Sequence, residues 1–63
     1  MMFRRVWDLR PGDTVRPYGD DGLWSVTELR RDGTEGRCTL VVGHPVHGFA
    51  EIEVSLDDMV KLG

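Results

Sequence analysis

Cys38, His44 and His47 are the residues of this chain whose types could bind a metal ion. A thiolate and imidazole nitrogens are ligands that zinc prefers, and the His-x-x-His spacing can place two ring nitrogens near each other. A fourth ligand at suitable spacing is missing, and Cys38 falls on the inward face of a predicted strand. We therefore predict no metal site and no cofactor.

The same residues do not indicate an enzyme. A cysteine nucleophile needs a histidine base, a third group that orients the base, and an oxyanion site, and the sequence indicates neither of the last two. A domain of 63 residues also fills its interior with side chains, which leaves no deep pocket that excludes water. We expect a protein without catalytic residues.

Aromatic side chains and two acids form the candidate partner-binding set. Its members are Trp7, Tyr18, Asp20, Asp21, Trp24 and Phe49. Exposed aromatic residues are typical of the centres of protein interfaces, and aromatic faces attract cations that neighbouring carboxylates would complement. Trp24 has a second interpretation, because the alternation of its strand directs it to the core.

Arginines offer an alternative chemistry, which is contact with the phosphates of nucleic acid. They are Arg4, Arg5, Arg10, Arg16, Arg30, Arg31 and Arg37. The formal net charge is −3, and residues 32–63 contain two basic side chains against six acidic ones. Such a balance gives little long-range attraction for a phosphate backbone. The arginines are therefore compatible with a specific nucleic-acid site but not with general binding, and their simpler role is to offset the acids.

Size and composition limit the architecture that must position these residues. The chain has 63 residues, of which 40% are hydrophobic and 30% charged, which predicts one folded domain over 1–63. A single cysteine excludes an internal disulfide. No apolar run reaches the roughly 20 residues that cross a bilayer, and the first residues do not resemble a signal peptide. We expect a cytoplasmic protein with no membrane partner.

Short β-rich runs separated by turn residues predict five strands, over 14–16, 23–31, 37–43, 49–54 and 59–62. The long second strand alternates correctly only if a bulge is present near Thr27 or Glu28. Asp32 and Gly33 indicate a hairpin turn. The segment 55–58 predicts one helical turn capped by Ser55.

Alternation also assigns the faces of these strands. Cys38, Leu40 and Val42 point to one side, which we expect to be the core, and Val41 points to the other. The next strand directs Phe49 outward with two glutamates, and it directs toward the interior Ala50, Ile52 and Val54. Val41 and Phe49 are therefore expected outside the core.

The order of elements resembles the SH3-like barrels of the Tudor and KOW type. Two segments carry the resemblance, Leu9-Arg10-Pro11-Gly12-Asp13-Thr14-Val15-Arg16 and Gly22-Leu23-Trp24-Ser25-Val26. The first looks like the hydrophobic-x-x-Gly-Asp-x-Val segment of many such barrels. The resemblance implies a mainly β protein, a single small five-stranded SH3-like barrel with one helical turn before the last strand. It also implies two uses, since Tudor-like domains enclose methylated cations with loop aromatics and KOW-like barrels contact RNA.

Residues 1–8 precede that barrel and contain Phe3, Val6 and Trp7, an apolar triplet that a solvated tail would not favour. We expect this extension to pack on or beside the barrel, as an edge strand or a cover, or to contact a second copy. The predicted function is a non-catalytic module that binds a protein or peptide, in a small bacterial or phage accessory or regulatory protein that is monomeric or homodimeric. The alternative is a KOW-like barrel that binds RNA or DNA through the arginines of the first half.

Overall fold

Strands dominate the computed structural model, which describes residues 2–19, 22–31 and 34–63. The elements with their bounds are β1 (Phe3–Arg5), a 3-10 helix (Val6–Asp8), β2 (Thr14–Val15), β3 (Trp24–Arg30), β4 (Arg37–His44), β5 (Gly48–Ser55) and β6 (Met59–Lys61). The prediction of a mainly β fold is confirmed. No helix in these three ranges has the length and apolar content needed to span a membrane.

Two antiparallel sheets meet along β2 and β6. The larger sheet has the order β2-β3-β4-β5, and β1 pairs with β6 in the smaller one. An isolated bridge joins Val15 to Leu62, and the backbone N–H of Arg16 donates to the carbonyl of Lys61 at 2.8 Å. The larger sheet therefore curls toward the smaller one, and β5 and β1 remain as the two outer edges.

The bulge predicted near Thr27 or Glu28 is present in β3. Val26 pairs with Val42 and Glu28 pairs with Val41, so Thr27 is the extra residue between them. The Thr27 hydroxyl donates to the backbone carbonyl of Val41 at 3.0 Å. Because a bulge adds one residue to one strand, it restores the alternation beyond it and increases the local bend.

The hydrophobic core lies inside the curl of the two sheets. Its buried members are Val6, Leu9, Val15, Trp24, Val26, Cys38, Leu40, Val42 and Val60. Cys38, Leu40 and Val42 therefore share the buried face that their alternation predicts. Val6 comes from the segment before the predicted barrel, where β1 pairs with β6. Full burial of a valine side chain contributes roughly 1.5–3 kcal/mol, so this segment adds directly to the stability of the domain.

Val41 lies outside the core cluster, on the face that its alternation predicts, but it is nevertheless buried. It lies on the outer face of β4, between Glu28 of β3 and Glu51 of β5. The Arg30 guanidinium donates to the carboxylates of Glu51 and Glu28, at 3.2 and 3.4 Å. The hydrogen bond with Glu51 and the charge of Glu28 raise the pKa of Arg30 above its usual range. This ion-paired group crosses β4 at the level of Val41, and long charged side chains can cover apolar surface in this way.

The segment before the last strand is a single hydrogen-bonded turn. The Asp58 N–H donates to the Ser55 carbonyl at 3.0 Å, which closes the turn. The Ser55 hydroxyl accepts the N–H of Asp57 at 3.3 Å, as the predicted serine cap requires. The Asp58 carboxylate in return accepts the Ser55 N–H at 2.8 Å. The chain thus reverses from β5 to β6 within four residues.

Candidate partner-binding site

A groove of about 400 Å³ opens beside β5, between the two sheets. Ile52 and Val54 of β5 line one side, with Leu40 of β4 next to them. Phe3 and Met59, from β1 and β6, line the opposite side, and both side chains are more than half exposed. The groove is therefore an apolar surface that the fold leaves open to solvent.

The strand β5 forms a free edge along this groove. One side of β5 pairs with β4 over its whole length, from His44 opposite Gly48 to Arg37 opposite Ser55. No other strand in the described part of the chain pairs with the second side. Alternate backbone N–H and C=O groups of an edge strand lack a partner within the sheet, so they are available to an additional strand.

Backbone hydrogen bonds hold the turn that contains Asp58, a residue that lines the groove. The Trp7 N–H donates to the Leu56 carbonyl at 3.1 Å, and the Val6 N–H donates to the Asp58 carbonyl at 2.8 Å. These bonds tie the 3-10 helix to the turn that follows β5. The loop after β2 also lines the groove, and Gly19 adopts φ 75° there, a conformation that glycine accepts without strain.

Charged side chains surround this apolar surface. Arg16, Asp58 and Lys61 line the groove. Glu51 and Glu53 lie on the outer face of β5, where they alternate with the inward Ile52 and Val54. The Glu51 carboxylate accepts the hydrogen bond from Arg30, whereas Glu53 has neither an ion pair nor a hydrogen bond to its side chain within the ranges described. The outer side of β5 is therefore acidic.

An aromatic cluster, formed by Tyr18, Trp24, His44 and His47, lies next to the loop end of the groove. The Tyr18 ring contacts Trp24 edge to face, with centroids 5.5 Å apart. His44 and His47 lie 5.0 and 6.0 Å from the Trp24 ring, and 4.5 Å from each other. Trp24 is the buried member of this cluster, and Tyr18 is half exposed. Tyr18 and His47 are the exposed members of the cluster, and Tyr18 follows Pro17, which lines the groove.

The cluster depends on the turn between β4 and β5. His44 Nδ1 accepts the backbone N–H groups of Val46 and His47, at 3.0 and 3.2 Å. A nitrogen that accepts hydrogen bonds carries no proton, so the neutral ring has its proton on Nε2. The two histidines therefore have a structural role, because one closes the turn and places the other against Trp24.

The residues considered for zinc do not come together. Cys38 lies on β4 six residues before His44, a separation of roughly 20 Å along a strand. The Cys38 sulfur lies 3.8 Å from the Val54 carbonyl in the core. No cluster of three or more histidine, cysteine or acidic side chains suited to a metal occurs among the residues that the structure describes.

The predicted partner-binding residues divide among three places. Tyr18 and Trp24 come together in the aromatic cluster. Trp7 lies near the other end of β3, where the Arg31 guanidinium stands 5.1 Å from its ring centroid and donates to its backbone carbonyl at 3.3 Å. Phe49 is on the outer face and about three-quarters exposed. The two predicted acids of the set, Asp20 and Asp21, lie outside the described residues.

Glycine at position 43 leaves room for the Phe49 ring. Gly43 and Phe49 are directly opposite each other in β4 and β5. A Cβ atom added to Gly43 would stand 3.1 Å from a ring carbon of Phe49, tighter than ordinary packing. The ring therefore lies over a position that has no side chain.

The predicted nucleic-acid arginines are spread over several elements, and some already contact protein groups. Arg4 forms an ion pair with Asp13 at 3.2 Å. Arg30 bonds two glutamates, and Arg31 contacts Trp7. The side chains of the others have no ion pair within the described ranges: Arg5, Arg10, Arg16 and Arg37. The structure does not gather the seven into one basic face.

The groove was not predicted from the sequence. Alternation assigned Ile52 and Val54 to a closed interior, but they are only partly buried. The signal that could have found them is strand length. The last predicted strand, 59–62, has four residues, which are too few to cover the six residues of the predicted strand 49–54. β6 is shorter still, with three residues opposite the eight of β5.

Comparisons with family models, curated proteins and solved structures find no match to this chain. The features of the molecule that indicate a function are the groove, the free edge of β5 and the charges beside them.

Proposed function

We propose that this protein is a non-catalytic module that binds an extended segment of a partner protein along β5. The observation that carries the proposal is an eight-residue strand with one free edge, beside an apolar groove. A peptide that adds a strand to a sheet gains backbone hydrogen bonds from the edge. It also places alternate side chains into the adjacent groove, which supplies specificity.

The two edges of the fold are unequal, and this favours β5 as the binding edge. Proteins limit unwanted pairing by keeping edge strands short or by placing charges on them. β1 is short, with three residues, whereas β5 has eight. A long edge that carries glutamates on one face is suited to a selected partner and is protected from indiscriminate pairing.

The size and lining of the groove support the same proposal. Sites for small ligands have volumes of roughly 300–1,000 Å³, so about 400 Å³ accommodates a few side chains of an extended peptide. Met59 and Phe3 supply apolar contact opposite β5. The half-exposed Tyr18 lies in the loop that ends the groove, between Pro17 and Gly19, which line it.

We also infer that the fold is an open variant of the SH3-like barrels of the Tudor and KOW type. What supports this assignment is the curled antiparallel sheet, the bulged β3 and the single turn before β6. A fold of this class serves many unrelated partners, so it does not choose one. The peptide-binding proposal depends on the edge and the groove.

Selection from a random seven-residue peptide library tests the proposal. Selected peptides should shift the backbone amide NMR signals of β5 and the side-chain signals of Met59. Val54→Asp places a charge in the groove and should reduce the affinity at least tenfold, because an unpaired charge would contact apolar peptide side chains. Val46→Asp is the matched control, since Val46 is about four-fifths exposed in the turn beyond β5.

The result would contradict the proposal if the selected peptides shifted signals away from β5, or if Val54→Asp remained folded by circular dichroism and bound with unchanged affinity. A parallel titration with a single-stranded RNA oligonucleotide at low and high salt examines the alternative function. Salt-sensitive binding that shifts Trp7 and Arg31 would favour nucleic acid, because an exposed ring beside a guanidinium can stack a base.

A further inference from the structure

We propose that the segment bound along β5 alternates apolar and basic residues, with a lysine or arginine opposite Glu53. This inference rests on the proposed function and specifies the chemistry of the partner. It follows from the register of β5 and from the charges on its outer face.

A strand added to β5 must continue the two faces of the sheet. Directly opposite residues in neighbouring strands point to the same side. The partner residue opposite Ile52 therefore faces the groove, and the partner residue opposite Glu53 faces the outer surface. The next inward residue, opposite Val54, again faces the groove. A bound segment consequently presents apolar side chains inward at every second position.

The outward residues of a bound segment would lie beside two carboxylates, Glu51 and Glu53. These two differ in whether a positive charge of the protein already pairs with them. Glu51 already accepts a hydrogen bond from Arg30 at 3.2 Å. Glu53 is opposite the neutral Thr39 in β4, and no ion pair to it exists within the part of the chain described. A cation on the partner strand would thus gain more beside Glu53 than beside Glu51.

The same charges argue against a second copy of this chain as the occupant. Two β5 strands that pair antiparallel about Ile52 place Glu51 of each copy directly opposite Glu53 of the other. Pairing about Glu53 places that residue opposite itself. Like charges directly opposite each other destabilise a strand pair, so a basic segment of another protein fits the edge better.

Synthetic peptides of alternating valine and lysine, seven residues long with blocked ends, test the charge requirement. A matched peptide carries glutamate in place of each lysine. We expect the lysine peptide to bind roughly tenfold more tightly at low ionic strength. The glutamate peptide replaces a few favourable cross-strand charge pairs by unfavourable ones, which accounts for a difference of this size. The preference should shrink with added salt, because the charges are exposed. Binding is measured from the amide NMR shifts of β5.

Charge reversal in the protein assigns the preference to one residue. Glu53→Lys should invert it, so that the glutamate peptide binds more tightly than the lysine peptide. Asp8→Lys is the matched control, because it changes the net charge equally on an exposed residue of the 3-10 helix and should preserve the preference for lysine.

The outcomes separate this inference from the proposed function. Equal binding of both peptides, with shifts along β5, would overturn the charge inference and retain the binding edge. If Asp8→Lys also inverted the preference for the lysine peptide, the effect would come from net charge alone, and the charge inference would again be overturned. If neither peptide shifts β5, the alternating basic segment is wrong, and the library-selected peptides decide the proposed function independently.

Discussion

Cys38 shows how the interior of the sheet controls the chemistry of one side chain. Its sulfur is buried against β5, 3.8 Å from the carbonyl of Val54. Burial raises the pKa of the thiol, and the positive charges of Arg31 and Arg37 oppose this effect only in part. Because the thiolate is the nucleophilic form, the buried thiol is unreactive, and the cysteine serves as a small core residue.

The raised pKa of Cys38 predicts a pH-dependent loss of stability. A thiol whose pKa is higher in the folded state binds its proton more tightly there than in the unfolded chain. Its contribution is therefore complete below the pKa of an unfolded thiol, about 8.5, and is lost as the pH rises from there through the folded value. The urea concentration at the unfolding midpoint should therefore decrease as the pH rises above about 8.5.

The variant Cys38→Ala provides the comparison for this prediction. This variant lacks the titrating thiol, so the part of the alkaline loss of stability that Cys38 causes should disappear. The other titrating groups are the same in both proteins. An identical pH dependence in the two proteins would contradict the assignment of the effect to this thiol.

At the scale of elements, the turn between β4 and β5 depends on the His44 side chain. Replacing His44 by alanine leaves the N–H groups of Val46 and His47 without their acceptor. It also removes the imidazole ring that packs against the Trp24 ring. We expect a loss of about 1–2 kcal/mol in the free energy of unfolding. Urea denaturation measures this loss, and hydrogen exchange at the two amides should accelerate.

The variant His44→Asn is the control for the turn. An asparagine oxygen accepts backbone N–H groups two residues on, so it should restore part of the slow exchange without restoring the ring contact. Equal exchange rates in His44→Asn and His44→Ala would show that the acceptor is not what holds the turn.

The elements were predictable where a local pattern controlled them. Trp24 and Val26 are out of phase with Leu29, which required a bulge, and Thr27 is that bulge. The exposure of Ile52 was not predictable in this way, because alternation reports which side a residue faces and not whether another strand covers that side. Coverage depends on the length and path of a strand elsewhere in the chain.

At the scale of the whole molecule, the segment before β2 stabilises the domain. The Val6 side chain is fully buried, and β1 pairs with β6. Val6→Ala should lower the free energy of unfolding by about 2 kcal/mol, a large share of the roughly 3–9 kcal/mol expected for this length. The melting temperature, measured by circular dichroism, should fall by about 10 °C.

Met2→Ala is the corresponding surface variant, because Met2 is about two-thirds exposed. It should melt within a few degrees of the unchanged protein. If the two variants melted at the same temperature, Val6 would not have the core role that its burial implies.

The candidate site could be predicted only in part, for the same long-range reason. Aromatic residues in loops indicated Tyr18 and Trp24, and these two do meet. The contribution of His44 and His47 to their cluster depends on a turn that brings β4 and β5 together. Trp7 is separated from the cluster because the 3-10 helix is tied to Leu56, a bond that no local pattern reveals.

The contact between Phe49 and Gly43 has a consequence for how this sequence can diverge. A ring that lies over a glycine prevents that glycine from acquiring a side chain while the ring stays in place. In related genes, larger residues at position 43 should accompany smaller residues at position 49. Substitutions at the two sites would then be inherited as a pair.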